Sequence, residues 1–107
     1  MHYHDSQDHR HTRDLLQEAP VAAKAFTEFD QAVFGETDAL PALTKELIAI
    51  GVAATTQCPY CMEAHVSAAK RAGATRAQVA EAVMVAAALR AGGAFTHGWL
   101  AMKAYGD

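Results

Sequence analysis

The sequence predicts an all-α fold, a single compact domain of about five helices. Alanine occupies 25 of the 107 positions, whereas proline occurs three times and aromatic residues make up 7% of the chain. This composition favours packed helices, because alanine has the highest helix propensity and strands prefer β-branched and aromatic residues. No segment shows the alternating pattern of a strand. A chain of this length has room for one hydrophobic core.

The first thirteen residues differ from the remainder and are predicted to form a polar arm. Four of the six histidines lie there, at His2, His4, His9 and His11. Their irregular spacing defines no metal coordination geometry, so we expect a solvated or partly ordered segment without assigned function. The sequence is therefore divided into an arm, residues 1–13, and a helical domain, residues 14–107.

Apolar residues recur at steps of three and four from Asp14 to Gly35, which indicates a first helix. Pro20 lies inside this run and is expected to break or kink the helix, or to mark its start. A turn over residues 37–41 then leads into a second helix from about Ala42 to Thr56. A third helix is predicted from the Cys58-Pro59 pair to Gly73, where glycine suits a left-handed cap.

The last third of the chain is predicted to contain two helices. A capping box formed by Thr75 and Gln78 opens the fourth, which is expected to end at Arg90 before a glycine pair. Its segment 82–89 is apolar all round, so we expect it to be buried in the core or between subunits. A fifth helix, over residues 95–105, completes the fold.

Composition excludes several classes of function. The net charge is -3 and the basic residues are dispersed, which gives no footprint for nucleic acid. The longest uninterrupted apolar run, residues 82–89, is well short of the ~20 residues of a membrane-spanning helix. No signal peptide is recognised at the start, and the two cysteines lie too close in sequence to join distant elements. We therefore expect a cytoplasmic protein without nucleic-acid or membrane partners.

The two cysteines lie next to a histidine in a pattern that suits redox chemistry. In a helix, Cys58 and Cys61 are one turn apart, and His65 follows Cys61 by four residues on the same face. The helix N-terminus stabilises a thiolate, and an imidazole accepts or returns its proton. The proximity of His65 favours Cys61 as the attacking thiol, whereas the helix terminus favours Cys58, so the residues alone leave this choice open.

A carboxylate is predicted to join this group. If the chain reverses near Gln57, the second and third helices run antiparallel, which places Glu46 opposite residues 65–68. Glu46 is then suited to orient His65, a role that carboxylates often play for imidazole. Helix rise separates Glu46 from Cys58 by about 18 Å, so the expected relay runs from Glu46 through His65 to Cys61. Tyr60 is a candidate donor into the site, or a cover for the helical hairpin.

Other interpretations of these residues stay open. A zinc ion is a competing ligand, since Cys58, Cys61, His65 and Glu46 together provide four donors, although the second cysteine pair of most structural zinc sites is missing. A structural role is a further alternative, because a cysteine pair, a buried glutamate or a histidine on a helix often has no chemical function when it occurs alone. Our expectation is that the protein binds no metal or other cofactor. His97 is expected to be a packed or interface residue.

The motif resembles that of a known family. Glu46, eleven residues, Cys58-Pro59-Tyr60-Cys61, three residues and His65 are similar to the E-x11-C-x-x-C-x3-H motif of the alkylhydroperoxidase AhpD-like group within the carboxymuconolactone decarboxylase family. The resemblance extends over residues 14–105. The sequence departs from AhpD in carrying Pro59 and Tyr60 between the cysteines, where AhpD has a histidine.

The resemblance implies an all-helical protein that forms trimers or hexamers and reduces hydroperoxides with an external dithiol. Cys61 would be the peroxidatic cysteine, Cys58 the proton donor and resolving thiol, and His65 with Glu46 the proton relay. Two alternatives are a dithiol-disulfide exchanger or redox sensor without significant peroxidase turnover, and a carboxymuconolactone decarboxylase-like lyase. The cysteine pair argues against the lyase, because the decarboxylase branch does not use it.

Overall fold

The computed structural model describes residues 3–35 and 39–107. A 3-10 helix, Ser6–His11, precedes five α-helices, namely α1 (Thr12–Glu18), α2 (Pro20–Phe34), α3 (Ala42–Thr56), α4 (Pro59–Arg71) and α5 (Arg76–Tyr105). The described part of the chain contains no strand, which confirms the all-α class. His2 of the predicted arm, and Thr37 and Asp38 of the predicted turn, lie outside the described residues.

The first predicted helix is divided in two at Pro20. Ala19 separates α1 from α2 with φ of -135° and ψ of 64°, and Pro20 is the first residue of α2. A proline is tolerated at this position because the first amides of a helix have no intrahelical acceptor. The helix therefore breaks at Pro20, where the sequence predicted a break, a kink or a helix start.

The helices α3, α4 and α5 form the centre of the protein, with α3 packed against both of the others. Among the described residues, the buried apolar side chains are Ile50 and Ala53 on α3 and Ala69 on α4. The chain reverses between α3 and α4 at Gln57, whose φ of 57° and ψ of 45° lie in the left-handed region. This tight turn makes α3 and α4 the two arms of a hairpin and brings Glu46 and His65 together.

The end of the chain differs from the prediction. The expected fourth and fifth helices are one 30-residue helix, α5, which continues through Gly92 and Gly93. The predicted boundary after Arg90 was therefore wrong. A glycine inside a helix costs only about 1 kcal/mol relative to alanine, and the alanine-rich sequence on both sides propagates the helix through the pair. The predicted capping box is confirmed, since the Thr75 side chain accepts the Gln78 amide at 3.1 Å.

Most of α5 lies at the surface of the single chain. Within segment 82–89, Met84 is 64% exposed, Val85 67% and Leu89 75%, so one copy does not provide the burial predicted for this segment. Because it is unbroken, α5 is also long and apolar enough to cross a membrane, judged by length and composition alone. That is weak evidence for a membrane span, because apolar helices of soluble proteins meet the same criterion.

The whole chain exposes more surface than its mass requires. Its accessible surface is 8775 Å². A compact monomer of 11.4 kDa would expose about 5,800 Å². One chain therefore exposes about 3,000 Å² more than a compact monomer of the same mass.

Candidate redox site

The two cysteines open α4 and are joined to each other. Cys58 is the N-cap residue, and Pro59 occupies the first helical position. The Cys61 amide donates a hydrogen bond to Cys58 Sγ at 3.2 Å, and a disulfide connects the two side chains, whose Cα atoms are 5.3 Å apart. One helical turn is thus the spacing that lets the pair form a bridge without moving the backbone.

Behind the disulfide, a carboxylate of α3 holds the histidine of α4. Glu46 Oε2 lies 2.6 Å from His65 Nδ1, and the two side chains are 13% and 23% exposed. This contact matches the predicted opposition of Glu46 and His65 across the hairpin. When Nδ1–H donates to the carboxylate, the second nitrogen of the ring, Nε2, is the one that remains free to accept a proton.

A cavity of about 400 Å³ reaches both Cys61 and His65. Its remaining wall comes from the end of α2, the approach to α3 and α3 itself, and is mainly apolar: Val33, Phe34, Leu40, Lys45, Ile48, Ala49, Val52, Ala53 and Thr56. Cys58 is not among the described residues that line this cavity. A molecule bound in the cavity therefore lies against both Cys61 and His65.

Two further residues of this region were missed from the sequence. The ring of Phe34, at the end of α2, lies against the His65 ring with centroids 4.7 Å apart and planes at 30°. Lys45 donates from Nζ to the carbonyl oxygens of Val33 at 2.7 Å and Gly35 at 3.0 Å. In the sequence, Phe34 was one more apolar residue of a helix face, and nothing connected Lys45 with the end of the preceding helix.

Tyr60 does not contribute a hydrogen bond to Glu46 or His65. Its hydroxyl donates to Asp8 Oδ2 at 2.8 Å, and the His4 ring packs edge-on against its ring at 4.5 Å. Accordingly, the bond from Tyr60 lowers the pKa of Asp8, and Asp8 raises the pKa of Tyr60. His4 Nε2 also lies 3.4 Å from Glu63 Oε1. The suggestion that Tyr60 donates into the site is therefore corrected, since this side chain anchors the arm to the first turn of α4.

The remaining candidates carry no further site chemistry. His97 is exposed, and its Nδ1 lies 2.8 Å from the Gly93 carbonyl oxygen one turn earlier in α5, so it is not packed within the single chain. Across residues 3–35 and 39–107, no group of three or more histidine, cysteine, aspartate or glutamate side chains is arranged to hold a metal ion. The arrangement of Glu46, His65 and the bridged cysteines is suited to thiol redox chemistry.

Comparison with known proteins gives two relatives that match about two thirds of the chain. An uncharacterized protein from the cox locus of Paracoccus denitrificans is 51% identical over 73 residues, which are 68% of this chain and 65% of the relative. An uncharacterized protein of Cupriavidus necator is 39% identical over 71 residues, 66% of this chain and 62% of the relative. The match spans less than two thirds of the length of either relative.

A solved structure and a family profile cover more of the chain. A crystal structure of a protein from Methanobacterium thermoautotrophicum superposes with a TM-score of 0.75 at 34% identity, over 82% of this chain and 98% of the other. The profile of the carboxymuconolactone decarboxylase family matches residues 20–104, which include α2 through nearly all of α5. The helical hairpin with its cysteine pair thus lies inside the matched region, and the chain belongs to the carboxymuconolactone decarboxylase family.

Proposed function

We propose that the protein is a thiol-dependent hydroperoxide reductase of the alkylhydroperoxidase AhpD-like type. The observation that carries the proposal is the shared cavity of Cys61 and His65, with His65 held at Nδ1 by Glu46 at 2.6 Å. A thiol, a positioned base and a neighbouring second thiol are the groups that peroxide reduction by a cysteine pair requires. The family to which the chain belongs includes such enzymes.

The reaction begins with the reduced pair and a hydroperoxide in the cavity. The Cys61 thiolate attacks the terminal peroxide oxygen, the O–O bond breaks, and the leaving alkoxide takes a proton to become an alcohol. Cys61 is then a sulfenic acid. Cys58 supplies this proton, passed through the relay of His65 and Glu46. The Cys58 thiolate then attacks the Cys61 sulfur, and the hydroxide that it displaces leaves as water with the proton that the Cys61 thiol lost when its thiolate formed.

One hydroperoxide and two thiols thus become one alcohol, one water and the Cys58–Cys61 disulfide, which is the state seen in the structure. An external dithiol completes the cycle by reducing this bridge through a mixed disulfide and leaving as its own disulfide. The surroundings of the two cysteines support these proposed roles. Cys61 faces the cavity, whereas Cys58 caps α4 beside it and serves as the resolving thiol.

A second candidate is a dithiol-disulfide exchanger or redox sensor without peroxidase turnover. It is favoured by the position of Cys58, whose sulfur accepts the Cys61 amide at the N-terminus of α4. That environment stabilises a thiolate at Cys58 and makes it a good attacking or leaving group in exchange reactions. The two candidates differ in the sulfur that reacts first.

Peroxide turnover by the cysteine variants separates these functions. With cumene hydroperoxide or hydrogen peroxide and dihydrolipoamide, the wild-type protein should turn over and Cys61→Ser should not. Cys58→Ser should complete one turnover and leave a Cys61 sulfenic acid that dimedone traps. Full activity of Cys61→Ser would overturn the peroxidase. A bridge that dihydrolipoamide reduces readily, without any peroxide turnover, would instead establish the exchanger.

We also propose that the protein is a homo-oligomer, a trimer or hexamer, in the cytoplasm. The support is the exposed apolar surface of α5 and the excess of about 3,000 Å² over a compact monomer. The partner that suits this surface is a second copy of the chain. Every copy exposes the same apolar residues, and a closed symmetric assembly covers these residues on all of its copies. The cytoplasm provides the reducing conditions that regenerate the dithiol.

A further inference from the structure

The C-terminal end of α2 is capped by a lysine from a different helix. Lys45 Nζ on α3 donates to the carbonyl oxygens of Val33 and Gly35 at 2.7 and 3.0 Å. Carbonyl oxygens at a helix C-terminus have no intrahelical donor and carry the negative end of the helix dipole. An ammonium group donates hydrogen bonds to these oxygens and also balances their negative charge. Lys45 therefore joins the end of α2 to the first turn of α3.

Little else holds α2 to the central helices. Its main packing partner is α1, and Val21, Phe26 and Phe29 are 84%, 66% and 66% exposed. The last turn of α2 is different, because Val33 and Phe34 line the cavity of Cys61 and His65. The part of α2 that contributes to the redox site is thus the part that Lys45 holds.

Phe34 fixes one face of the catalytic base. Its ring lies 4.7 Å from the His65 ring, while Glu46 engages the Nδ1 edge of the same imidazole. With one face and one edge occupied, the ring has little freedom to turn, and Nε2 keeps its direction. Lys45 and Glu46 are neighbours in sequence and lie on the same turn of α3. Glu46 contacts His65 directly, whereas Lys45 acts on His65 through the end of α2.

We propose that Lys45 is a positioning residue of the redox site, which holds the Phe34 ring against His65 and the end of α2 against the cavity of Cys61. The kinetic consequence rests on the proposed peroxidase, whereas the effect on α2 and on the thiol does not. Because Lys45 acts through backbone carbonyls, an arginine at this position should serve nearly as well, since a guanidinium also donates two hydrogen bonds.

The test compares Lys45→Met with Lys45→Arg and with Lys24→Met. Lys24 is an exposed lysine of α2 whose ion-pair partner among residues 3–35 and 39–107 is Glu28, at 3.9 Å, so Lys24→Met removes the same charge away from the site. In Lys45→Met, we expect faster hydrogen exchange of the Gly35 amide, which donates to Gln31 O at 2.9 Å.

We also expect Lys45→Met to shift the pH profile of Cys61 alkylation by iodoacetamide, measured in a Cys58→Ser background. Peroxide kcat/KM should fall about tenfold, below the ~10²-fold loss that a 1 Å misplacement causes. Lys45→Arg should restore all three quantities.

Phe34→Leu provides a second variant, which should shift the alkylation profile in the same direction as Lys45→Met while leaving exchange at Gly35 unchanged. Wild-type exchange and alkylation in Lys45→Met would overturn the proposal, as would equal effects of Lys24→Met. If the wild-type protein shows no peroxide turnover, the proposed function fails, but exchange and alkylation still decide the role of Lys45.

Discussion

Glu46 Oε2 and His65 Nδ1 lie 2.6 Å apart, although nineteen positions separate the two residues in the chain. The contact exists because the left-handed Gln57 reverses the chain between α3 and α4 and sets the register of the hairpin. The proposed chemistry depends on this contact between Glu46 and His65, because His65 lines the same cavity as Cys61.

Replacing either member of this pair should slow peroxide reduction while leaving the disulfide intact. General acid–base catalysis contributes about 10²–10⁴-fold, so His65→Gln should lower kcat/KM by about 10²-fold or more. Glu46→Gln should cost roughly 10- to 100-fold, because the imidazole keeps its place but loses the charged partner. The measurement is steady-state turnover of cumene hydroperoxide.

Glu28→Gln is the matched control for the glutamate, since Glu28 is exposed on α2 and its ion-pair partner in the described part of the chain is Lys24. It should behave like the wild-type protein. Unchanged turnover in Glu46→Gln would remove the carboxylate from the mechanism.

The anchor of the N-terminal arm should show a pH window. The pKa of Asp8 is lowered, chiefly by the hydrogen bond from Tyr60, so its contribution to docking is present above its ordinary pKa of 3.8 and is lost as pH falls through the lowered value. The pKa of Tyr60 is raised above 10.0, chiefly by the bond to Asp8, so its contribution is present below pH 10.0 and is lost as pH rises through the raised value. Docking of the arm is therefore expected to be complete between these limits.

Phenolate absorption checks this window. The difference between the titrations of wild-type protein and Tyr60→Phe isolates Tyr60, whose phenolate should form above pH 10.0. Asp8→Asn removes the carboxylate and should bring the Tyr60 titration down. An unchanged titration in Asp8→Asn would show that Asp8 and Tyr60 are not paired in solution.

The approach of α3 to α5 should tolerate one methyl group but no larger side chain. A Cβ at Gly51 would lie 3.6 Å from the Ala82 carbonyl oxygen and 3.8 Å from Ala86 Cβ, which are ordinary contact distances. Gly51→Ala should raise the free energy of unfolding by up to about 1 kcal/mol, because alanine favours the helix. Gly51→Leu should lower it by roughly 1–3 kcal/mol through overpacking. Urea unfolding at fixed protein concentration measures both, and equal stabilities of the two variants would contradict the close approach.

The apolar surface of α5 should hold the oligomer together. Leu89, which is 75% exposed in one copy, lines a groove of about 700 Å³ between α3 and α5. An aspartate there would bury a charge if a second copy covers the groove, so Leu89→Asp should dissociate the assembly. Sedimentation equilibrium of Leu89→Asp, with Lys103→Asp on the same helix as a control, tests this. A wild-type monomer at micromolar concentration would overturn the oligomer.

Much of the redox site was predictable because its members are close in sequence or related by one simple turn. The helical spacing from Cys58 to Cys61 to His65 needs no tertiary information, and Glu46 followed from pairing two helices about Gln57. Phe34 and Lys45 were not predictable, since their partners lie across a change of chain direction that no local pattern describes. Tyr60 was ambiguous for the same reason, because its acceptor, Asp8, lies 52 positions away.

The sequence by itself determined the helical class, the break at Pro20, the capping box at Thr75 and the cysteine pair at the start of α4. These features depend on backbone preferences and on neighbours within one or two turns, which act wherever the segment lies. Only the tertiary structure decided that Tyr60 binds the arm and that Lys45 joins α2 to the cavity of Cys61. Those outcomes depend on packing and hydrogen bonds between distant segments, whose energies exceed the small local preferences that the sequence reveals.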